Sequence, residues 1–329
     1  MKKLIAIILV LTSLFLVACN TPEKVSKQSE EKSSGSETLG VTEEPDDETE
    51  EEPTEEEKNA IRTVEDMVKI DDVVSVEKLS FSADINYAEA YKLIFKSGEL
   101  NIAADIVLPK DYSQKGPKYP VLFYFPTVQA LIENLATDYA ANGICVVHIY
   151  ERGFGDSEGA RDFGGEDIAD AQKLIEICDS TEFMKNSKMF VAGASSGSII
   201  AMRLIAEDTE RRLSGCAVVD VISDLKAYAD FRGEGIQNLF ATAIGGAYDE
   251  MPEEYEKRSA LSFYQKLDRP MLMIHYEQSP FCQVEQTDRL YELVYRNNAA
   301  CFYKKFDLLA SDFTGEGLTL LVAFIEEFK

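Results

Sequence analysis

Five residues, Gly193-Ala194-Ser195-Ser196-Gly197, constrain the fold of this chain more than any other stretch. They follow the apolar run Met189-Phe190-Val191-Ala192 and precede Ile199 to Ala206, whose apolar positions recur with helical spacing. A G-x-S-x-G between a strand and a helix is the pattern of a nucleophile elbow, a tight turn that holds a serine hydroxyl clear of the sheet. Gly193 and Gly197 would let strand and helix approach closely around Ser195. The helix N-terminus favours negative charge, and the Ser196 amide is a candidate oxyanion donor. The bland alternative is a Gly/Ser-rich turn without chemical meaning.

The sequence around these residues alternates in the same way. Val74 to Ser82, Ala90 to Phe95 and Ile102 to Leu108 read as antiparallel strands separated by turn residues such as Ser97-Gly98-Glu99. Ile61, Val64, Met67 and Val68 have helical spacing. After the strand Val121 to Phe125, helices are expected at 132–141, 167–178, 285–295 and 318–328, and strands at 144–150, 189–192, 216–221, 271–276 and 300–305. Strands that are apolar throughout, alternating with helices, imply a parallel sheet covered on both faces. The strands 144–150 and 189–192, which bracket the helix at 167–178, are expected to be adjacent parallel neighbours.

Three segments follow from composition. Residues 1–18 have the form of a targeting peptide: Lys2 and Lys3, then an apolar core from Leu4 to Val17, too short to span a membrane. It ends in Leu16-Val17-Ala18-Cys19, which resembles a bacterial lipobox; cleavage before Cys19 would leave that cysteine carrying lipid, with the protein membrane-anchored and extracytoplasmic. The alternative is an ordinary secretory signal with an incidental cysteine. Residues 19–60 read as an acidic, disordered stalk, because eleven of the fifteen residues from Glu43 to Glu57 are Asp or Glu and large apolar side chains are nearly absent. Residues 61–329 form the remaining domain. The net charge of −26 argues against nucleic acid as a partner, since phosphates need a basic footprint. Cys145, Cys178, Cys216, Cys282 and Cys301 are widely spaced, with no C-x-x-C, so no metal site and no cofactor are expected. Buried free thiols are the default reading, and a disulfide among them stays open.

This order of elements around G-x-S-x-G resembles the α/β-hydrolase fold, and within it the catalytic domain of the prolyl oligopeptidase family and related esterases. Leu108-Pro109-Lys110-Asp111-Tyr112 with Lys118 to Leu122, the run Arg152-Gly153-Phe154-Gly155-Asp156-Ser157-Glu158-Gly159, and Met251 to Tyr255 followed by Arg269 to His275 carry the likeness. The resemblance implies a mostly parallel central sheet with antiparallel N-terminal strands and helices on both faces. It also implies a Ser–acid–His triad with Ser195 as nucleophile.

The triad pattern then breaks. Where the family places the acid, the chain reads His275-Tyr276-Glu277-Gln278-Ser279, and the position falls on Ser279. Where it places the histidine, the chain reads Leu308-Leu309-Ala310-Ser311-Asp312, and the position falls on Ser311. No histidine follows position 275. The oxyanion loop reads Phe125-Pro126-Thr127-Val128, so Pro126 offers no N–H and Thr127, or alternatively Val128, becomes the candidate donor. Substitutes for the base are poor: His148 and His275 lie inside strands, Asp312 and Glu277 are weak bases, and Cys282 lacks a histidine. Asp220 or Asp224 is a candidate to orient His275. The chain therefore reads as an impaired hydrolase that binds an unidentified small ligand or peptide, with an active esterase or peptidase using a nonstandard base as the alternative. Ser279 and Ser311 are expected to converge on Ser195, unless they merely cap loop backbone.

Overall fold

The computed structural model describes residues 60–115, 119–128 and 130–329. The proposed signal peptide, Cys19 and the stalk lie outside the described residues.

Nine strands form one sheet: β1 (Val73–Leu79), β2 (Ala88–Ser97), β3 (Leu100–Pro109), β4 (Val121–Phe125), β5 (Cys145–Ile149), β6 (Met189–Ala194), β7 (Leu213–Val219), β8 (Met271–Tyr276) and β9 (Cys301–Phe306). Their spatial order is β1-β2-β3-β5-β4-β6-β7-β8-β9. The first three are antiparallel, β3 meets β5 antiparallel, and every pair from β5 to β9 is parallel. This is the α/β-hydrolase architecture that the resemblance implies. Every residue of β4, β5 and β6 is buried, as the apolar runs require of strands covered on two faces.

Among the described residues, eight helices of six residues or more accompany the sheet: α1 (Ile132–Asp138), α2 (Asp167–Asp179), α3 (Ser196–Glu207), α4 (Leu225–Arg232), α5 (Glu234–Ile244), α6 (Pro252–Lys257), α7 (Val284–Tyr295) and α8 (Glu316–Phe328). Leu135 and Ala136 of α1 and Leu320, Leu321, Phe324 and Ile325 of α8 pack on one face of the sheet. Ile168, Leu174 and Ile175 of α2, Ile200 and Leu204 of α3, and Leu290 and Val294 of α7 pack on the other. The spacing at 61–68 yields only a 3-10 turn, Glu65–Lys69, with Met67 buried.

One expected neighbour relation is wrong. Strands β5 and β6 do not pair; β4 lies between them and pairs with both. The cause is a change of winding direction. The chain steps outward from β4 to β5 through α1 on one face, then returns past β4 to β6 through α2 on the other. Reversal of strand order opens a crevice at the carboxyl ends of the strands, where ligands bind in open α/β sheets. Ser195 follows directly on β6 at that edge.

The sequence reading also left 222–268 without elements, and α4 to α6 lie there. Leu225, Tyr228, Ala229, Phe240, Ile244 and Tyr255 form a separate small core with Ile199 of α3 and Ile222. Asp224 caps α4 by accepting the Ala227 amide, and Gly233 ends it at φ 82°.

The glycines of the elbow decide whether the sheet and α3 meet at all. A methyl group on Gly193 would collide with the Gly197 carbonyl, and one on Gly197 with the carbonyl of Phe125 at the end of β4. Gly193→Ala is expected to lower stability by about 2–4 kcal/mol, because the obstacle is backbone and cannot rotate away; urea unfolding of parent and variant measures it.

Candidate active site

Ser195 adopts φ 51°, ψ −117°, a conformation that a serine holds only under constraint. Its amide donates to the Val219 carbonyl at 2.9 Å, and its carbonyl accepts both the Ser198 amide at 3.0 Å and the Ser198 hydroxyl at 2.6 Å. These bonds lock the turn between β6, β7 and α3 and leave the side chain half-exposed. The Ser196 amide opens α3 and makes no backbone hydrogen bond among the described residues, so this candidate donor is uncommitted. The Ser196 hydroxyl accepts Arg161 Nη2 at 2.9 Å, and Arg161 is held by Glu151.

The oxyanion loop is committed elsewhere. The Thr127 amide, expected to donate into the site, donates instead to Asp312 Oδ2 at 3.2 Å, and the Thr127 hydroxyl donates to the Ser311 carbonyl at 2.6 Å. Asp312 Oδ1 accepts the Tyr124 hydroxyl at 2.5 Å and the Phe313 amide at 2.8 Å. Burial pushes the Asp312 carboxyl upward against the pull of these donors. Asp312 is thus a clamp joining the end of β4 to the loop after β9. Sequence reasoning had weighed it only as a weak base.

The Ser279 hydroxyl bonds within its own loop, and the Ser311 carbonyl accepts the Thr127 hydroxyl. Among the described residues, no hydrogen bond joins either side chain to Ser195. Ser279 Oγ accepts the Phe281 amide at 3.4 Å, a loop-capping role, and stands beside Asp220. Ser311 takes part through its carbonyl.

Asp220 is the buried carboxylate nearest the expected acid position. It follows β7 at φ 46°, accepts the Tyr276 amide at 3.0 Å through Oδ1, and has no geometric hydrogen-bond partner for Oδ2 among the described residues. Burial, reinforced by the charge of Asp312, pushes its carboxyl up to about 6, while the Tyr276 amide and the adjacent Ser279 hydroxyl oppose the rise.

Neither histidine serves Ser195. His275 does meet Asp220, with Nδ1 at 3.3 Å from Oδ1, but the same nitrogen lies 3.2 Å from the Thr287 hydroxyl and the residue is 1% exposed. Burial holds it neutral. His148 is buried in β5, its Nδ1 has no hydrogen-bond partner among the described residues, and burial pushes its pKa down to about 4. Asp224 is a helix cap. The five described cysteines are free and buried, and burial raises every thiol, Cys145 and Cys301 to about 12. Cys282 donates to the Val221 carbonyl at 3.0 Å and is no nucleophile.

Two residues that the sequence motifs do not point to, Tyr228 and Arg232, extend outward from the serine. The Tyr228 phenol of α4 lies against the Ser195 side chain and accepts Arg232 Nη1 at 2.7 Å. Burial keeps it a neutral phenol. A signal was present: Asp224, then Leu225, Tyr228 and Ala229 at helical spacing, then Gly233, is a capped helix.

The likeness beyond the fold is specific. The prolyl oligopeptidase family pattern matches residues 137–305. The chain belongs to the prolyl oligopeptidase family. Among its relatives is an uncharacterized peptidase, YtmA, of Bacillus subtilis (strain 168), 24% identical over 220 residues that span 66% of this chain and 84% of the relative. Solved structures with the same fold include acetyl xylan esterase 1 from Thermoanaerobacterium sp. JW/SL YS485, at TM-score 0.58 and 17% identity over 79% of this chain and 89% of that one. An acylaminoacyl peptidase of Pyrococcus horikoshii matches at TM-score 0.58 and 17% identity over 74% of this chain and 42% of that one. In this member of the prolyl oligopeptidase family, the Arg152–Gly159 loop after β5 has a structural part. Arg152 grips the buried Asp170 of α2 through Nε at 2.7 Å and Nη2 at 2.9 Å.

The Asp220 carboxyl makes stability depend on pH. Its folded pKa, about 6, lies above the 3.8 of the free group, so the folded state holds the proton longer. That protonated form favours folding below about pH 4, and the advantage is lost as pH rises through 6. Asp220→Asn should therefore gain on the parent by about 2 kcal/mol between pH 4.5 and pH 7.5. Urea midpoints at the two pH values check it; parallel curves for parent and variant would contradict the raised pKa.

Proposed function

We propose that this protein is a membrane-anchored, extracytoplasmic lipoprotein whose prolyl oligopeptidase-family domain binds a ligand at Ser195 without efficient hydrolysis. One observation carries the reading. The chain has two histidines, and both are buried inside strands, so no imidazole is available to take the Ser195 proton. Loss of the base costs on the order of 10⁶ in turnover in serine hydrolases, leaving about 10³–10⁴ over water from binding and oxyanion donors. The commitment of the Thr127 amide to Asp312 removes part of that remainder. A second reading, an active esterase or peptidase with a nonstandard base, draws on the strained elbow at Ser195 and on the Asp220 carboxyl at about 6. A carboxylate with that pKa is a usable base near neutral pH if it reaches the serine proton.

Labelling with a fluorophosphonate separates the two. For the full-length protein, turnover of p-nitrophenyl acetate is expected within about tenfold of Ser195→Ala, with no robust Ser195-dependent labelling. Strong labelling abolished by Ser195→Ala would establish the active reading instead.

The anchor rests on Leu16-Val17-Ala18-Cys19. Among the described residues no helix is long and apolar enough to cross a membrane. Cys19→Ser is expected to block processing or release the protein from the membrane fraction; unchanged fractionation would refute lipid attachment.

A further inference from the structure

Arg232, at the end of α4, is held among the described residues by two aromatic rings, a phenol hydroxyl and a backbone carbonyl. Its guanidinium lies 5.6 Å from the centroid of the Tyr228 ring and 5.3 Å from that of Phe281. Nη1 donates to the Tyr228 hydroxyl at 2.7 Å and to the Phe281 carbonyl at 3.2 Å. Nε and Nη2 have no acceptor, and no Asp or Glu pairs with this side chain, among the described residues. In a chain with 59 acidic and 33 basic residues, Arg152, Arg161, Arg203, Arg258 and Arg269 each grip a carboxylate, whereas among the described residues Arg232, and the exposed Arg296 at the end of α7, do not.

The position of this unpaired charge matters as much as its lack of a partner. One phenol links it to the nucleophile, because Tyr228 accepts Arg232 and lies against Ser195. Two rings restrict the guanidinium, so little freedom remains to be lost when a planar acceptor arrives at its free edge. A carboxylate fits that edge with two parallel N–H···O bonds. The Phe281 ring beside it is 48% exposed and the Phe231 ring 46% exposed, so apolar surface adjoins the charge.

We propose that Arg232 is a carboxylate-binding residue of the Ser195 cleft, and that the ligand is a chain ending in a free carboxylate with an apolar group for Phe281. The proposal rests on the cleft being the ligand site, and holds whether or not the ligand is hydrolysed. Two sources share this chemistry, a peptide C-terminus and an alkyl carboxylic acid. With its hydroxyl accepting from Arg232, Tyr228 keeps its own proton for Ser195 Oγ or for a ligand oxygen.

Calorimetric titration of the full-length protein tests it with two matched pairs, N-acetyl-Ala-Phe against its C-terminal amide and hexanoate against hexanamide. The acid of at least one pair should bind about ten- to a hundredfold more tightly than its amide, the size of a lost charged hydrogen-bond pair. The peptide pair showing the larger preference identifies a C-terminus, and the hexanoate pair a free alkyl acid. In Arg232→Gln the preference should fall to near unity, and Arg232→Lys should retain part of it. An acid–amide ratio of one in both pairs, a preference undiminished in Arg232→Gln, or no binding at millimolar concentration overturns the assignment. N-acetyl-Ala-Phe methyl ester is followed in parallel: its turnover would refute the non-hydrolytic reading and leave the Arg232 assignment standing.

Discussion

Three backbone segments meet where α3 begins, and their distance of approach governs the rest of the site. Gly193 of β6, Gly197 of α3 and the Phe125 carbonyl of β4 lie so close that no Cβ fits at either glycine. The chain can turn between β6 and α3 in that space only by placing Ser195 at positive φ. The strain is offset by the bonds that Ser195 makes to Val219 and Ser198. The same approach points the first amides of α3 toward the crevice beyond β4 and β6, where partial positive charge accumulates at the helix end. A hydroxyl, an uncommitted amide and a crevice thus follow from one packing constraint.

Chemistry at the crevice is set by what surrounds that frame. Asp312 uses both oxygens on the Tyr124 hydroxyl and on the Thr127 and Phe313 amides, and so fixes the loop after β4 instead of leaving it to face a ligand. Asp220 sits at the other side with its carboxyl raised by burial, near a serine rather than near a working base. Its contact with His275 runs into the sheet, not toward Ser195. Tyr228 lies against Ser195, Arg232 donates to Tyr228, and Arg161 donates to the hydroxyl of the next residue, Ser196. Donors stabilise negative charge on a ligand; none of them removes a proton from a serine at neutral pH.

The legible parts were those that local sequence dictates. Apolar runs such as Val121 to Phe125 and Met189 to Ala192 have no stable place except a strand covered on both faces, and the expected strands appear there. Helix boundaries at Asp167 and Val284 fell within a residue of expectation, because periodicity and flanking polar residues agree there. The order of strands in space was less legible. Consecutive strands 145–149 and 189–194 look like neighbours, and only the change of winding direction at β4 separates them. The excursion from α4 to α6 carried its signals in caps and short periodic runs, which are weak beside a strand pattern, and it held Tyr228, which lies against Ser195.

The sequence by itself determined that a strand–turn–helix presents Ser195, and that no histidine stands after position 275, since both are properties of the chain read in order. It also determined family membership, through motifs whose spacing survives at low identity. Tertiary structure alone decided what each polar group faces. The Thr127 amide turns to Asp312, Ser279 caps its own loop, and His275 closes on Asp220 and Thr287. Those choices depend on which buried donors and acceptors lie within about 3 Å once the strands have stacked, because an unpaired polar group is costly away from water. Residues far apart in the chain, such as Thr127 and Asp312, acquire that proximity only when β4 and the loop after β9 are brought together by the fold.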